Sequence, residues 1–409
     1  MKFPLQTLML LGPGIIAAAS GNDAGGIATY TTVGAKYGYS FLWVLVLLLA
    51  PSLAIVQIVS IRLGIVSGKG LSALIRERFP LKTAMVGILS LFAANSIIAI
   101  SEFFGIAAAL ELFGISKYIG VPIAGMVVWG LIVIGSYQKV EKLFLVLSTI
   151  FLAYIGSSFL GRPIWGQAFK AMVTPTFSLD TQYLTLFIAT IATTITPYMQ
   201  IYAQSATLEK GLSLGQLKIA QLDAALGSIF STTISIFIVI TAAATLFPHG
   251  IVVETASDAA LALTPLAGNY ASILFGVGLL AASMLAAGVL PLTTAFSTCE
   301  AFGWRAGVRY SYRQAPIFYS IITILIALGV TYSLIPGISL IKPLIFAFVL
   351  NGFLLPVELY FMLRLANDKE LMGKYVNNAL LNIVTGVIMI IVTVAVILFL
   401  LSLLPISIF

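Results

Sequence analysis

Apolar runs long enough to cross the roughly 30 Å hydrocarbon core of a bilayer follow one another along the whole chain. Of its 409 residues, 60% are hydrophobic and 9% are charged, and no polar stretch between the runs is long enough to form a separate domain. The sequence therefore predicts an all-α polytopic membrane protein with a single transmembrane domain over residues 1–409. The eleven predicted spans are 5–35, 40–63, 84–113, 117–137, 142–161, 183–206, 216–247, 270–299, 314–335, 339–364 and 377–405.

Basic residues predict how the chain is oriented. The first apolar run follows a single Lys2 and has no small-residue cleavage site, so we expect it to be the first span and not a cleaved signal peptide. With a cytoplasmic N-terminus, most Lys and Arg residues fall inside, as the positive-inside rule requires. Those that fall outside are Lys36, Lys117, Arg162 and Lys170, with Lys342 at a helix start. The net charge of +7 thus indicates a plasma-membrane protein with an external C-terminus, and not a nucleic-acid-binding protein.

The first span contains a segment that a continuous membrane helix does not tolerate. Asp23 lies at bilayer depth within Ser20–Gly26, and a charged side chain there is costly unless it faces a cavity or a partner. Gly25 and Gly26 weaken the helix and release backbone groups that lipid cannot satisfy. A helix that breaks at an ion site explains both features.

A second interruption, Ile195–Gln200, lies in the middle of the sixth span. Pro197 removes a backbone donor and clashes with the preceding turn, which on its own predicts only a kink. The first and sixth spans correspond if the chain contains two five-helix halves, and paired broken helices are typical of a transporter site at an inverted-repeat interface. We therefore predict repeats over about 5–161 and 183–364, followed by an extra helix over 377–405.

Few other polar residues remain inside the spans, and each is a candidate for function. They are Gln57, Asn95, Glu102, Glu111, Asp223, Glu300, Asn351 and Glu358. Glu102 is deep in the third span, so we expect its carboxyl to be protonated or turned to water. Asp223 fits a structural hydrogen bond and a pathway role equally well. Glu111, Glu300 and Glu358 are expected near helix ends, where snorkelling or local pairing explains them.

Single residues exclude several kinds of chemistry. The chain has one cysteine, Cys299, and one histidine, His249, so it can form neither an intramolecular disulfide nor a histidine metal cluster. A metal ion would be met by oxygen atoms or by a methionine thioether. No Walker loop, zinc-ligand spacing or Ser-His-Asp set is present, so the sequence predicts no enzyme and no cofactor.

Several segments resemble the Nramp divalent-metal transporters. The segment Arg62–Pro80 resembles the loop between the second and third helices of that family. Further similar segments are Gly12–Gly14, Val140–Lys142, Arg162–Gly166 and Asn367–Gly373. The resemblance covers residues 12 to about 373. It implies the LeuT-type fold, with an inverted repeat of helices 1–5 and 6–10, an eleventh helix, and breaks in helices 1 and 6.

The departures from the Nramp pattern concern the metal ligands. Typical members carry Asp-Pro-Gly-Asn in helix 1, where this chain has Asp23–Gly26, and Met-Pro-His in helix 6, where it has Thr196–Tyr198. The losses of an amide and a thioether favour hard ions, and Mg²⁺ in particular keeps much of its water when protein ligands are few. The chain is thus similar to the Nramp-related magnesium transporters.

That resemblance implies a set of site residues. The metal site comprises Asp23 as the direct ligand, the Thr193 carbonyl, Thr196 and Asn22. The hydration shell or pathway comprises Glu102, Asn351, Tyr198 and Gln204. Asn22 is also a candidate to hold water. Gly25, Gly26 and Pro197 break the helices. Phe348 and Leu354 stand where typical members have glutamines, which leaves Asn351 as the nearest amide. We expect Met199 to point away from the site.

Proton coupling is not expected. In typical members an aspartate precedes the helix 3 glutamate by three residues, and Ala99 stands there in this chain; two histidines of helix 6 are replaced by Tyr198 and Gln204. A tyrosine titrates near pH ~10, so it cannot relay protons at neutral pH. The resemblance then implies uniport of Mg²⁺, and also of Mn²⁺, into the cytoplasm by a monomer in the bilayer.

Three alternatives stay open. The first is a proton-coupled Mn²⁺/Fe²⁺ symporter of the Nramp type, which a soft ligand from Met199 would support. The second is an amino-acid/sodium symporter of the same fold, although Asp23 would repel a substrate carboxylate. The third is a non-transporting scaffold or sensor, which would not need the two breaks.

Overall fold

The computed structural model describes residues 13–134, 146 and 152–403 of the chain. The longer helices are, in chain order, α1 (Pro13–Ala19), α2 (Ala24–Tyr37), α3 (Ala50–Ser67), α4 (Leu71–Arg78), α5 (Leu81–Leu112), α6 (Lys117–Val133), α7 (Leu152–Leu160), α8 (Trp165–Val173), α9 (Thr181–Thr194), α10 (Pro197–Glu209), α11 (Leu217–Thr245), α12 (Ala271–Phe302), α13 (Pro316–Ser333), α14 (Lys342–Ala366) and α15 (Ala379–Ser402). A π-helical turn, Val44–Leu49, leads directly into α3.

Helices of membrane-spanning length dominate the bundle. Within the described residues, eight helical segments are long and apolar enough to cross a membrane, and α6 is a shorter apolar helix. Each of the eleven predicted spans contains at least one helix. The first span is divided between α1 and α2, and the sixth between α9 and α10. Lys2, Gly12, Lys139 and the segment Val140–Lys142 lie outside the described residues.

The first predicted break is confirmed, and local sequence explains it. Ser20–Asn22 forms a 3₁₀ turn, and Asp23 is extended (φ −67°, ψ −176°) before α2 begins. A Cβ added to Gly26 would lie 2.6 Å from the Gly21 carbonyl oxygen. Since Cβ atoms do not approach other atoms so closely, the return of the chain into α2 requires glycine at position 26.

The second predicted break is also confirmed. Helix α9 ends at Thr194, and the backbone is extended at Ile195 (φ −122°, ψ 82°) and Thr196 (φ −98°, ψ 138°). Helix α10 then begins at Pro197. Proline suits the first position of a helix because its fixed φ fits and its missing N–H would have no intrahelical partner.

Small residues bring the broken first span into the centre of the bundle. A Cβ added to Gly14 would lie 2.6 Å from the backbone nitrogen of Ala224 on α11, and small residues allow such close backbone approach in membranes. Asp223 fixes the same contact, because its Oδ2 accepts a hydrogen bond of 2.7 Å from Gly14 N. Asp223 therefore has the structural hydrogen bond that was one of its two predicted roles. The division into repeats over 5–161 and 183–364 stays a prediction.

The three glutamates expected at helix ends differ from one another. Glu111 is exposed at the end of α5, and Glu300 lies in the last turn of α12, where its Oε1 accepts a hydrogen bond of 2.9 Å from Ser205 Oγ. The expectation was wrong for Glu358. It lies eight residues before the end of α14 and is fully buried, so its carboxyl cannot snorkel to the membrane surface.

Candidate functional site

Asp23 is the fixed acceptor at the first break. Its side chain is fully buried and caps α2, since Oδ1 accepts a hydrogen bond of 2.7 Å from Gly26 N. Oδ2 accepts one of 3.2 Å from the Tyr198 hydroxyl. The N-terminus of a helix carries partial positive charge, so the start of α2 stabilises an ionised carboxylate where lipid alone would not.

Glu102 reaches the same helix end from α5. Its Oε2 accepts a hydrogen bond of 3.2 Å from Ala24 N, the first residue of α2. Oε1 is buried and has no hydrogen-bond partner among the described residues. Two carboxyl groups thus meet at one helix N-terminus, and one of their oxygen atoms is left for water or an ion.

The second break brings oxygen atoms to this place. A Cβ added to Gly26 would lie 3.0 Å from Thr193 Oγ1 and 3.3 Å from Asp23 Oδ1, so both atoms border one small region. Thr193 Oγ1 has no partner within the described part of the chain. The Thr196 hydroxyl donates a long hydrogen bond of 3.3 Å to the Thr193 carbonyl. Of the predicted contributors, Thr193 therefore lies beside Asp23, and Thr196 is hydrogen-bonded to Thr193.

Tyr198 ties the two breaks to each other. Its hydroxyl donates 2.6 Å to the Ser20 carbonyl as well as 3.2 Å to Asp23 Oδ2. Tyr198, which by the resemblance replaces a histidine, is thus in direct contact with Asp23, the predicted metal ligand. The sequence placed Tyr198 only in the hydration shell or pathway.

The two predicted amides lie differently. Asn22 turns to α11, where its Nδ2 donates to Ser231 and its Oδ1 accepts a hydrogen bond of 2.9 Å from Ser235. Asn351 stays near the second break, since its Nδ2 donates 3.4 Å to the Ala192 carbonyl, and its Oδ1 has no partner in the described residues. The structure therefore brings Asn351, but not the Asn22 amide, to the ends of the broken helices.

Gln204 lies away from the break. It is on α10, where its Nε2 donates 2.9 Å to the Lys69 carbonyl in the loop that precedes α4. Gly64 of α3 packs against its side chain. Gln204 therefore closes the contact between α10 and the neighbouring loop, and does not border the Asp23 carboxylate.

Aromatic and sulfur groups line the rest of the region. A Cβ added to Gly25 would lie 2.1 Å from the Phe348 ring, so this phenylalanine of α14 packs on the first break. A Cβ added to Gly21 would lie 2.0 Å from Met199 Cε and 3.4 Å from Met199 Sδ. The expectation that Met199 points away was wrong, because its thioether packs against Gly21 at the first break.

Three further buried polar side chains do not belong to the predicted set of site residues. Glu358, Gln57 and Asn95 are fully buried, and their side-chain oxygen and nitrogen atoms have no hydrogen-bond partner among the described residues. The sequence marked all three as candidates because they are polar within apolar spans. Their burial is a consequence of how α3, α5 and α14 face the interior, which no local pattern reveals.

The donor set is poor in charged ligands. In residues 13–134, 146 and 152–403, no group of three or more His, Cys, Asp or Glu side chains could hold a metal ion. An ion at the breaks would meet one or two carboxylates, neutral oxygen atoms and water, with the Met199 thioether as the sulfur nearby. Such a set fits a hard cation that keeps part of its hydration shell.

A membrane bundle in which the first and sixth helices are broken and meet in its interior has the architecture of the LeuT-type fold. Two solved transporters agree with this fold. The nucleobase-cation-symport-1 family transporter Mhp1 has a TM-score of 0.59 at 13% identity, covering 96% of this chain and 90% of that one. MhsT, solved with L-phenylalanine, has a TM-score of 0.58 at 14% identity, covering 96% and 98%.

The chain belongs to the Nramp family, since residues 14–402 match the family model described as natural resistance-associated macrophage protein-like. The divalent metal cation transporter MntH of Vibrio campbellii is 30% identical over 390 residues, which are 91% of this chain and 87% of that protein. MntH of Deinococcus radiodurans is 33% identical over 305 residues, covering 69% and 67%. The manganese transporter of Eremococcus coleocola has a TM-score of 0.80 at 20% identity, covering 97% and 86%. These findings confirm the predicted family and the LeuT-type fold with broken first and sixth helices. They also confirm the expectation of a multi-pass membrane transporter and not an enzyme.

Proposed function

We propose that this protein carries hard divalent metal ions, Mg²⁺ and also Mn²⁺, across the membrane as partly hydrated ions. The relatives named above are divalent metal cation transporters, and the observation that carries the finer proposal is the composition of the break. Asp23 is the fixed anion there, the Thr193 hydroxyl lies beside it, and the Thr196 hydroxyl is held by the Thr193 carbonyl. We take these three residues as the ligands of the transported ion.

Water completes the coordination in this proposal. Oxygen atoms of Glu102, Thr193 and Asn351 are buried without a partner among the described residues, and buried polar atoms of this kind generally bind ordered water or an ion. Glu102 and Asn351 then orient water in the shell of the ion. Asn22 does not join them, because α11 already engages both of its side-chain atoms; we assign it to anchoring the unwound segment.

Uniport is the second element of the proposal. Ala99 is apolar, and the Tyr198 hydroxyl donates its hydrogen bonds to the Ser20 carbonyl and Asp23. Gln204 donates to the Lys69 carbonyl. None of these groups forms a proton relay from the site. With a cytoplasmic N-terminus and an external C-terminus in the plasma membrane, inward movement of two charges across 100 mV gains about 4.6 kcal/mol, which drives uptake without a coupling ion.

A proton-coupled Mn²⁺/Fe²⁺ symporter is the second candidate, and one observation favours it. The Met199 thioether lies against the first break, and sulfur ligands select softer transition metals. An amino-acid/sodium symporter has no such support, because the Asp23 carboxylate occupies the helix N-terminus that would receive a substrate carboxylate.

Uptake into proteoliposomes tests the proposal. Monomeric protein is reconstituted, and Mg²⁺, Mn²⁺, Cd²⁺ and Co²⁺ are added outside at an inside-negative potential with a pH dye trapped inside. We expect saturable Mg²⁺ and Mn²⁺ uptake that follows the potential and leaves the internal pH unchanged. Uptake of Mn²⁺ and Cd²⁺ without Mg²⁺, together with acidification, would establish the proton-coupled alternative instead.

A further inference from the structure

A large apolar crevice opens on the side of the bundle, away from the broken-helix site. Its cavity volume is about 1030 Å³, and its walls come from the end of α2, the start of α9, the segment 247–254 after α11, the first half of α14 and the end of α15. Side chains that form the apolar walls are Leu186, Val349, Phe353, Phe399 and Leu400. Water is a poor occupant of such a space, whereas an acyl chain fits it.

The rim of this crevice is charged. Lys36 from the last turn of α2, Lys342 at the first position of α14, and Glu254 border the opening. In the described part of the chain, none of the three takes part in a salt bridge. Two ammonium groups and one carboxylate, none of them in a salt bridge among the described residues, therefore flank the mouth of an apolar space.

The position of the crevice exposes it to lipid. Helix α15 is among the membrane-spanning helices, and little of it is buried inside the bundle. Leu403 at its end and Phe346 at the start of α14 also line the crevice and are 59% and 60% exposed. The apolar space thus opens sideways into the bilayer, while its charged rim lies at the level where α2 ends and α14 begins, as expected for a membrane surface.

We propose that the crevice binds one anionic glycerophospholipid. The phosphodiester lies between Lys36 and Lys342, and an acyl chain fills the space between α9, α14 and α15. The rim carries two positive charges and one negative charge, so a headgroup with a single net negative charge neutralises it, whereas a zwitterionic headgroup leaves one positive charge uncompensated. The bound lipid connects α2 and α9, the helical halves that lead to the two breaks, with α14 and α15.

Native mass spectrometry and thermal unfolding of the full-length protein test this site. Delipidated protein in detergent is titrated with phosphatidylglycerol and, separately, with phosphatidylethanolamine of the same acyl chains. We expect one tightly retained phosphatidylglycerol per chain and a rise in the unfolding temperature. The Lys36→Gln/Lys342→Gln variant should bind it about 10-fold more weakly, since each surface lysine contributes modestly to binding anionic lipid.

The matched control is the Lys82→Gln/Lys218→Gln variant, which removes the same charge from two exposed lysines outside the crevice. It should retain the lipid as the unchanged protein does. Leu350→Trp, which fills the crevice and keeps both lysines, should also lose the lipid, and soluble glycerol phosphate should not compete. Equal retention of both lipids, or equal losses in the two double variants, would overturn the proposal.

Discussion

The two helix breaks satisfy their exposed backbone groups differently, although a side-chain donor binds a free carbonyl group at both, since Tyr198 donates to the Ser20 carbonyl at the first break. At the first break, side-chain acceptors meet the free N–H groups of α2, as Asp23 binds Gly26 N and Glu102 binds Ala24 N. At the second break, side-chain donors meet the free carbonyl groups of α9, as Thr196 binds the Thr193 carbonyl and Asn351 binds the Ala192 carbonyl. Among the described residues, no side-chain hydrogen bond caps the start of α10, and its first residue, Pro197, has no N–H group.

The hydrogen bonds at the two breaks also differ in strength. The Asp23 bond to Gly26 is short, at 2.7 Å, and bonds to an ionised acceptor are the stronger class. The bonds at the second break are long, at 3.3 and 3.4 Å, so their carbonyl oxygens are easily released to a cation. We infer that the first break determines whether an ion binds, and that the second determines which ion is preferred.

The largest expected effect comes from removing the fixed anion of the first break. Asp23→Ala should reduce Mg²⁺ uptake by more than about 100-fold, equivalent to about 2.7 kcal/mol or more of lost stabilisation, while the protein still inserts and folds. Uptake into proteoliposomes and the elution profile of the purified variant measure the two properties. Glu111→Ala removes an exposed carboxylate at the end of α5 and should be neutral. Near-normal uptake by a well-folded Asp23→Ala variant would contradict the assignment of Asp23.

Local sequence predicted both breaks, because glycine and proline act on the backbone where they stand. Gly25, Gly26 and Pro197 predicted where the two breaks lie. The cost of a carboxylate at bilayer depth predicted that Asp23 belongs to the site. The same reasoning could not place Asn22, Met199 or Glu358. Their directions depend on which face of a neighbouring helix they meet, and that register is set by contacts distant in sequence, such as Asn22 with Ser235.

Crowding the first break should produce the second-largest effect. Gly26→Ala places a Cβ 2.6 Å from the Gly21 carbonyl oxygen and 3.0 Å from Thr193 Oγ1, so either the turn or the ligand must move, at a cost of about 1–3 kcal/mol. We expect uptake to fall by about 30-fold, which corresponds to about 2 kcal/mol, the middle of that range.

Gly278→Ala is the control for this change, because an added Cβ at Gly278 on α12 meets no atom of the described residues within 4 Å. It should leave uptake unaltered. If Gly26→Ala transports normally, the two breaks do not meet as closely as proposed, and an asparagine at this position, as in typical Nramps, would also be tolerated.

Glu102 tests whether the second carboxyl at the first break carries protons. Glu102→Gln keeps an oxygen for Ala24 N and removes the charge, so we expect Mg²⁺ uptake to fall by about 10-fold, the size of effect seen when residues that orient metal ligands are changed. A pH dye inside the vesicles should show no acidification with either protein, and Glu111→Gln should behave as the unchanged chain. Acidification that scales with metal uptake and disappears in Glu102→Gln would refute uniport.

The smallest effect, on ion preference alone, should come from Met199, a residue of the second break whose sulfur lies against the first break. Met199 already places a thioether against Gly21, so Met199→Leu should lower the affinity for Cd²⁺ relative to Mg²⁺ by about 3-fold, because soft ligands favour soft metals.

Thr196→Met should change the ratio in the opposite direction, since it adds a sulfur and removes the hydroxyl that binds the Thr193 carbonyl. Competition of Cd²⁺ against Mg²⁺ uptake measures both ratios, and Met126→Leu, on the exposed side of α6, is the control. If both variants reduce Mg²⁺ and Cd²⁺ uptake equally, the second break contributes to affinity and not to selectivity, and the proposed division between the two breaks is wrong.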